Sequence, residues 1–340
     1  DGAVYCWGRN QVGQLGNGTV AHSSVPALVS GLDGVQAQVQ AIASGEFQTC
    51  ALLADGSVRC WGQNGAGQLG RGNVPGDHTT PAPVVGLAGR AVSLAAGDDH
   101  MCAVIEGGAA QCWGYNAYGQ LGNGTNNNSN TPVIVSGLTS GVTAMTAGRV
   151  FTCAIVNGSA KCWGDGHSGQ LADGEDFSGG SRPYTKTVPV DVVGLPSTVL
   201  ELEAGGATAC ARLDNGETYC WGSDWSGQLG RGTAATQWLP QLLPLSGITQ
   251  LSMENLHVCA RLQDASLRCW GSNTFAQVGN EVSLLSPTPV EVQGLQPAQW
   301  TYMLYLAGDN DLSFFMDNIS RAVDNLLKSN PSPALNVVIF

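Results

Sequence analysis

Apolar residues along this chain of 340 residues fall into short runs that are separated by glycine-rich stretches. FQTCALL at 47–53, HMCAVI at 100–105 and FTCAIV at 151–156 are such runs, and each has the length of one β-strand. Other runs begin with proline and continue with β-branched residues, as in PVIVSGL at 132–138. The pattern predicts a turn-rich, all-β fold built from many short strands.

The tripeptide Cys-Trp-Gly recurs along the chain. It occurs six times, at intervals of 49 to 58 residues, beginning at Cys6, Cys60, Cys112, Cys162, Cys220 and Cys269. A glycine-rich stretch such as NGAGQLGRG at 64–72 follows each copy. A period near fifty indicates a solenoid, an array or a propeller.

These repeats resemble those of the regulator of chromosome condensation family, over roughly residues 1–296. The resemblance implies a β-propeller of six or seven four-stranded blades, incomplete at its N-terminus. Each short sheet is then apolar on both faces and has to stack on its neighbours. The repeated tryptophans could stack on a ligand, but we interpret six at one repeat position as core between blades.

Ten of the eleven cysteines form pairs spaced by nine or ten residues. Asn157-Gly158 predicts a two-residue hairpin turn within the nine-residue spacing, and Gly56, Gly108, Gly216 or Ala265 would close a three-residue loop within each ten-residue spacing. Both turn types place the paired cysteines opposite each other. The sequence therefore predicts five disulfides: Cys50–Cys60, Cys102–Cys112, Cys153–Cys162, Cys210–Cys220 and Cys259–Cys269.

Free buried thiols and zinc ligands are the alternatives to these disulfides. Zinc is disfavoured because no Cys-x-x-Cys occurs and the histidines do not cluster with the pairs. Five disulfides predict an oxidising compartment, the cell exterior or cell surface. Cys6 is left without a partner, which we expect about ten residues upstream. On this interpretation the chain is a fragment that begins inside a repeat.

The charge of the chain limits its partners. The formal net charge is −12, and the 14 lysines and arginines are scattered. Nucleic acid is therefore disfavoured as a partner, since phosphate binding needs clustered cations. No stretch of 18 apolar residues predicts a membrane span.

Two acidic and histidine-containing segments are candidates for metal binding or acid–base chemistry: Asp98-Asp99-His100, and Glu254 to His257. The corresponding positions in other repeats hold Gln48, Phe151 and Thr208, so no ring of ligands forms. We interpret both histidines as structural. No catalytic, cofactor-binding or metal-binding residue is predicted, and no cofactor.

The tail departs from the repeat. Trp300 to Leu306 predicts a strand, Leu312 to Leu327 an amphipathic helix and Asn336 to Phe340 a second strand. WTYMLYLAGDNDL resembles the start of the clostripain family of cysteine peptidases, which implies a truncated caspase-like α/β domain at 299–340. That family uses a histidine and a cysteine, yet this chain has no cysteine after 269 and no histidine after 257. A degenerate blade strand is the alternative, because YLAGDNDLS at 305–313 aligns with LAAGDDHMC at 94–102.

The expected function is therefore non-catalytic. We expect an exported binding or targeting module that recognises a protein or a surface glycan through variable loops, of which the longest spans 165–189 and another spans 71–83. One alternative is the non-catalytic part of a secreted clostripain-like peptidase whose catalytic pair lies downstream. A second, disfavoured by the charge and the disulfides, is a guanine-nucleotide exchange role, as the family resemblance implies.

Overall fold

The computed structural model describes residues 3–35, 37–175, 184–280 and 284–292. Their regular structure consists of 22 β-strands, which form one two-stranded and five four-stranded antiparallel sheets. In each four-stranded sheet the strands pair in chain order. The architecture is that of a propeller blade repeated five times, as the sequence predicted.

The strands are numbered in chain order. The two-stranded sheet holds β1 (Ala3–Gly8) and β2 (Ser23–Asp33). Blade 1 holds β3 (Val39–Ser44), β4 (Gln48–Leu53), β5 (Val58–Gly62) and β6 (His78–Pro83), and blade 2 holds β7 (Ala91–Ala96), β8 (His100–Ile105), β9 (Ala109–Gly114) and β10 (Ser129–Ile134). Blade 3 holds β11 (Val142–Ala147), β12 (Phe151–Val156), β13 (Ser159–Asp165) and β14 (Thr185–Asp191). Blade 4 holds β15 (Val199–Gly205), β16 (Thr208–Leu213), β17 (Thr218–Gly222) and β18 (Gln237–Leu242). Blade 5 holds β19 (Ile248–Glu254), β20 (His257–Leu262), β21 (Leu267–Asn273) and β22 (Leu284–Glu291).

Successive blades contact each other through their first strands. β3 lies against β7, β7 against β11, β11 against β15 and β15 against β19, so the first strands are innermost. The described residues thus contain five complete blades and one two-stranded sheet, where the sequence led us to expect six or seven four-stranded blades. The predicted strand–helix–strand segment at 299–340 lies outside the described residues.

The hairpin between the second and third strand of each blade carries the paired cysteines. In all five blades the two cysteines of a pair lie directly opposite each other on these strands. All five pairs are disulfide-bonded, with Cα–Cα distances of 4.0 to 4.1 Å. Asn157 and Gly158 both have positive φ, as a two-residue turn requires, and the three-residue loops end on a residue with φ between 65° and 83°. The thiol of Cys6 is free and buried.

In five of the six Cys-Trp-Gly copies the tryptophan joins its blade to the preceding repeat. In each of the five complete blades the buried indole Nε1 donates to the backbone carbonyl of the glutamine in the preceding Gly-Gln-Leu, at 2.8 to 3.0 Å: Trp61 to Gln14, Trp113 to Gln68, Trp163 to Gln120, Trp221 to Gln170 and Trp270 to Gln228. The approach is close enough that a Cβ on Gly122 would lie 2.6 Å from Nε1 of Trp163. The interpretation of these tryptophans as core between blades is confirmed. Trp7 is also buried, and its Nε1 has no partner among the described residues.

Removing one of these indole donors should destabilise the propeller. We expect Trp163→Phe to lower the free energy of unfolding by about 2–3 kcal/mol, because it leaves a cavity and deletes the bond to Gln120. Trp225→Phe is the matched control, since Trp225 is 78% exposed. Urea unfolding monitored by circular dichroism measures both, and equal stability of the two variants would contradict the proposed role of Trp163.

The hairpin loop of blade 5 ends on alanine where other blades use glycine. Ala265 has φ 65°, a conformation that costs a residue with a Cβ more than it costs glycine. Ala265→Gly should therefore raise the free energy of unfolding by about 0.5–1 kcal/mol, after allowing for the extra freedom of glycine in the unfolded chain.

Gly216 provides the reverse substitution for this test. It has φ 83°, and a Cβ there would meet nothing within 4 Å. Gly216→Ala should therefore lower the free energy of unfolding by a similar amount through the backbone alone. Thermal unfolding measures both variants, and shifts of the same sign would refute the backbone explanation.

Candidate functional site: the loop face and its inner ring

Two sets of loops meet at one end of the propeller, which we call the loop face. One set joins the first and second strands of each blade, and the other joins the third and fourth. Their backbones bond to each other in every complete blade, as when the amide of Tyr115 donates to the carbonyl of Asp99 at 2.9 Å. The remaining four bonds are Gln63 to Phe47, Asp165 to Val150, Ser223 to Ala207 and Ser272 to Leu256. The two sets of loops therefore form one continuous surface.

The loops between first and second strands form an inner ring around the propeller axis. We define this ring by residues 45–47, 97–99, 148–150, 206–207 and 255–256. Backbone bonds connect successive loops: the amide of Glu46 donates to the carbonyl of Asp98 at 3.1 Å, the amide of Asp98 to Arg149 at 3.2 Å and the amide of Arg149 to Gly206 at 2.8 Å. These bonds fix the ring backbone from blade 1 to blade 4.

The inner ring and its border are acidic. Burial, followed by the charge of Glu46, raises the pKa of Asp98 to about 7. Arg149, whose Nε lies 3.5 Å from Oδ2 of Asp98, opposes that rise, while Asp99 and Glu254 add to it. Burial also raises the pKa of Glu254 to about 7. Carboxylates from blades 1, 2 and 5 are therefore close enough to interact electrostatically.

Aromatic side chains also lie on the loop face. Trp225, in the loop between β17 and β18, is 78% exposed. Tyr118, in the corresponding loop of blade 2, is exposed and makes an edge-on contact with Tyr115. Phe47 of the inner ring lies beneath the guanidinium of Arg9, 5.4 Å from its ring centroid. Exposed aromatic and charged groups on fixed loops are typical of binding surfaces.

The candidate histidines occupy structural positions. His100 is fully buried, and its Nε2 lies 2.8 Å from Oγ1 of Thr152. Because that hydroxyl donates its proton to the carbonyl of Gln120, Nε2 of His100 must be the donor. Burial lowers the pKa of His100 to about 3 and that of His257 to about 4. Both imidazoles are therefore neutral near pH 7, which agrees with their structural interpretation.

The structure brings together only some residues of the two acidic and histidine-containing segments. Asp98 and Glu254, far apart in sequence, interact at the inner ring, whereas Asp99 accepts a bond from Nε2 of Gln68. The sequence analysis did not identify Glu46, Arg149 or Trp225. The signal that could have found them is that each differs from the residues at the corresponding position of the other repeats. No group of three or more His, Cys, Asp or Glu side chains suited to a metal ion occurs in the described parts of the chain.

The two variable loops named from the sequence also lie at this end of the propeller. In the longer one, Nζ of Lys186 lies 3.3 Å from a carboxylate oxygen of Asp173 and equally far from one of Glu175. Residues 176–183 of this loop lie outside the described residues. In the shorter one, Asp77 accepts a bond from the amide of Asn64. Both loops are thus held by polar contacts to their own repeat.

The fold and the loop face together define a disulfide-linked β-propeller with a loop-borne surface. Residues 3–318 match the family described as the RCC1-like domain. The chain therefore belongs to the family of RCC1-like domains. The match extends into the segment 299–340 that resembles the start of a peptidase. Among the described residues, no helix is long and apolar enough to cross a membrane.

Curated relatives share the repeat over most of this chain. The ultraviolet-B receptor UVR8 of Arabidopsis thaliana is 33% identical over 258 residues, which is 75% of this chain and 57% of the receptor. The E3 ubiquitin-protein ligase HERC2 of Homo sapiens is 29% identical over 230 residues, which is 66% of this chain and 5% of the ligase. The chain thus spans little more than half of the receptor and a small part of the ligase.

Solved structures share the fold at lower sequence identity. Human WBSCR16 superposes with a TM-score of 0.74 at 22% identity, covering 85% of this chain and 75% of its own. Prp20p of Saccharomyces cerevisiae superposes with a TM-score of 0.61 at 20% identity, covering 85% of both chains. At such identities these similarities establish the propeller fold alone.

A half-buried carboxyl on the innermost strand of blade 4 should make stability depend on pH. Burial raises the pKa of Glu203 to about 8, and the charge of Glu201 adds to the effect. The folded state therefore holds a proton that the unfolded state releases near its ordinary pKa. Stability from this group is present at low pH and is lost as the pH rises through about 8.

Glu203→Gln should remove this loss of stability at high pH. We expect the variant to be more stable than the parent by on the order of 1–3 kcal/mol at about pH 9, and to differ little at about pH 4. Glu106→Gln is the control, because the Glu106 side chain is 70% exposed. Denaturant titrations at both pH values provide the measurement, and a pH-independent difference at Glu203 would contradict the assignment.

Proposed function

We propose that this chain is a non-catalytic binding module that captures a protein partner on its loop face. The observation that carries the proposal is Trp225. This large apolar side chain is 78% exposed, although its loop is fixed by a bond from Trp270 to the carbonyl of Gln228. A rigid loop that presents an exposed tryptophan loses little conformational entropy on binding.

A family member supports a protein partner more than a glycan. Prp20p of Saccharomyces cerevisiae, which is yeast RCC1, has binding properties to Gsp1p and histones and has been solved bound to Kap60. Those partners belong to that protein, but they illustrate that this fold presents protein-binding surfaces. The glycan alternative draws support from the same exposed aromatic side chains, since sugars also stack on aromatic rings.

The proposed location is outside the cell or on its surface. Five disulfides, one in every complete blade, are suited to an oxidising compartment. A role as a nucleotide exchange factor requires a reducing compartment and is disfavoured for that reason. A nucleotide-release assay on small GTPases tests the exchange role. Faster nucleotide release in the presence of this chain would favour that role.

The second candidate is a targeting module of a cysteine peptidase. The resemblance of WTYMLYLAGDNDL to the clostripain family favours it, and in that role the propeller would position substrate for a catalytic pair elsewhere. An assay of the full gene product for thiol-dependent peptide hydrolysis tests this candidate. Hydrolysis that is lost with a substituted cysteine would favour it over a binding module alone.

Partner capture by matched variants tests the proposed function. The chain is immobilised, exposed to surface and secreted proteins of its source, and compared by quantitative mass spectrometry with Trp225→Ala and Leu239→Ala. Leu239 lies on β18 of the same blade and is 42% exposed, so it controls for loss of an exposed apolar group.

We expect Trp225→Ala to weaken capture of a specific partner about tenfold or more, as for central aromatic residues of other interfaces. Leu239→Ala should leave capture unchanged. Equal effects of the two variants would reject the loop face as the binding surface. The same variants applied to a glycan array identify a sugar ligand, which would replace the protein partner in this proposal.

A further inference from the structure

Hydrogen-bond acceptors predominate at the inner ring. Asp98 and Glu254 bring carboxylates to it from blades 2 and 5, with Glu46 and Asp99 adjoining. One side-chain cation of the ring, Arg149, lies against this group, and its side chain is 67% exposed. The site is therefore complementary to a positively charged, donor-rich group.

Two buried side chains directly beneath the ring carry acceptor atoms that the described residues leave unpaired. Gln48 is 1% exposed, its Nε2 donates to the carbonyl of Gly97 at 3.0 Å, and its Oε1 has no partner among the described residues. His100 is fully buried, and a Cβ on Gly97 would collide with its ring. Because Nε2 of His100 is the donor to Thr152, its unpartnered Nδ1 is an acceptor.

The acceptors and the fixed backbone favour one kind of ligand group. A guanidinium carries five N–H donors in a planar array and stays charged in proteins, whereas an ammonium carries three donors and holds its water more tightly. Carboxylates supplied by different blades suit the planar, multidentate group. Phe47, already beneath the guanidinium of Arg9, shows that an aromatic ring of this surface accepts such a group on its face.

We propose that the inner ring binds the guanidinium of an arginine in an exposed basic segment of the partner protein. This inference rests on the proposed function and specifies the partner chemistry at the centre of the loop face. Arg149 of this chain holds the carboxylate of Asp98 in the unbound state and competes with the incoming arginine.

The titration of the ring makes the binding depend on pH. Asp98 faces Glu46, Asp99, Arg149 and Glu254, and both Asp98 and Glu254 take up protons as the pH falls through about 7. A protonated carboxyl attracts the guanidinium far less than a carboxylate does. Affinity should therefore decrease on acidification, and the decrease should be smaller in Asp98→Asn.

The test uses short blocked peptides as probes. One contains arginine among glycines and serines, a second contains citrulline, the uncharged analogue of arginine, and a third contains lysine. Binding to the full chain is measured by isothermal titration. We expect the arginine peptide to bind at least about tenfold more tightly than the citrulline peptide.

Variants of the chain then locate the site. Asp98→Asn should weaken arginine-peptide binding about tenfold, and Arg149→Gln should strengthen it about threefold because it removes the competing cation. Asp264→Asn is the charge-matched control, since Asp264 is exposed on a hairpin at the opposite end of the propeller. Thermal unfolding of each variant verifies that it is folded.

The outcomes separate this inference from the proposed function. Equal effects of Asp98→Asn and Asp264→Asn, or equal binding of the arginine and citrulline peptides, would overturn the inference. Equal binding of the lysine peptide would overturn the choice of guanidinium. If Trp225→Ala abolishes partner capture while the peptide titrations show no dependence on Asp98, the proposed function stands and the arginine site does not.

Discussion

The bond from each blade's tryptophan to a glutamine carbonyl of the preceding repeat is the interaction on which the rest of the structure depends. A four-stranded sheet satisfies its backbone bonds internally, yet it leaves apolar side chains exposed on both faces. The indole buries a large apolar surface between blades, and its single polar atom is satisfied by the neighbour. Each blade therefore completes the one before it, and a blade alone would lack both the packing and the bond.

This coupling also explains why the loop face is rigid. The carbonyl that accepts the indole belongs to the glycine-rich loop between the third and fourth strands, so the packing of one blade fixes the loop of another. Trp270, for example, holds Gln228 three residues after the exposed Trp225. The same blade-to-blade arrangement recurs nearer the axis, where the amide of Asp98 bonds to the carbonyl of Arg149. The loops of different blades thus share the same backbone bonds but carry different side chains.

The local features of the fold could be predicted from the sequence because they depend on neighbouring residues. The Asn157-Gly158 turn and the three-residue loops fix which cysteines face each other, and the structure has the corresponding pairs in register. The burial of the tryptophans followed from their repeated position. These inferences required only the spacing of residues within one hairpin and the period of the repeat.

The inner ring could not be predicted in this way, because its contacts join residues that are about fifty or more positions apart. Asp98 stood out as part of an acidic and histidine-containing segment, but its interaction with Glu254 depends on the curvature that brings blades 2 and 5 to one axis. Arg149 carried no motif at all. Equally, the acceptor role of Nδ1 in His100 depends on Thr152 of the next blade, which no local pattern identifies.

Amide hydrogen exchange of the inner ring tests most directly whether blade-to-blade bonds fix the loop face. The amides of Glu46, Asp98 and Arg149 each donate to a carbonyl of the next blade. We predict that these three amides exchange as slowly as those of the adjoining strands, since they open only when neighbouring blades separate. Exchange as fast as that of the exposed amides in the hairpin loop at Asn215 would contradict a fixed loop face.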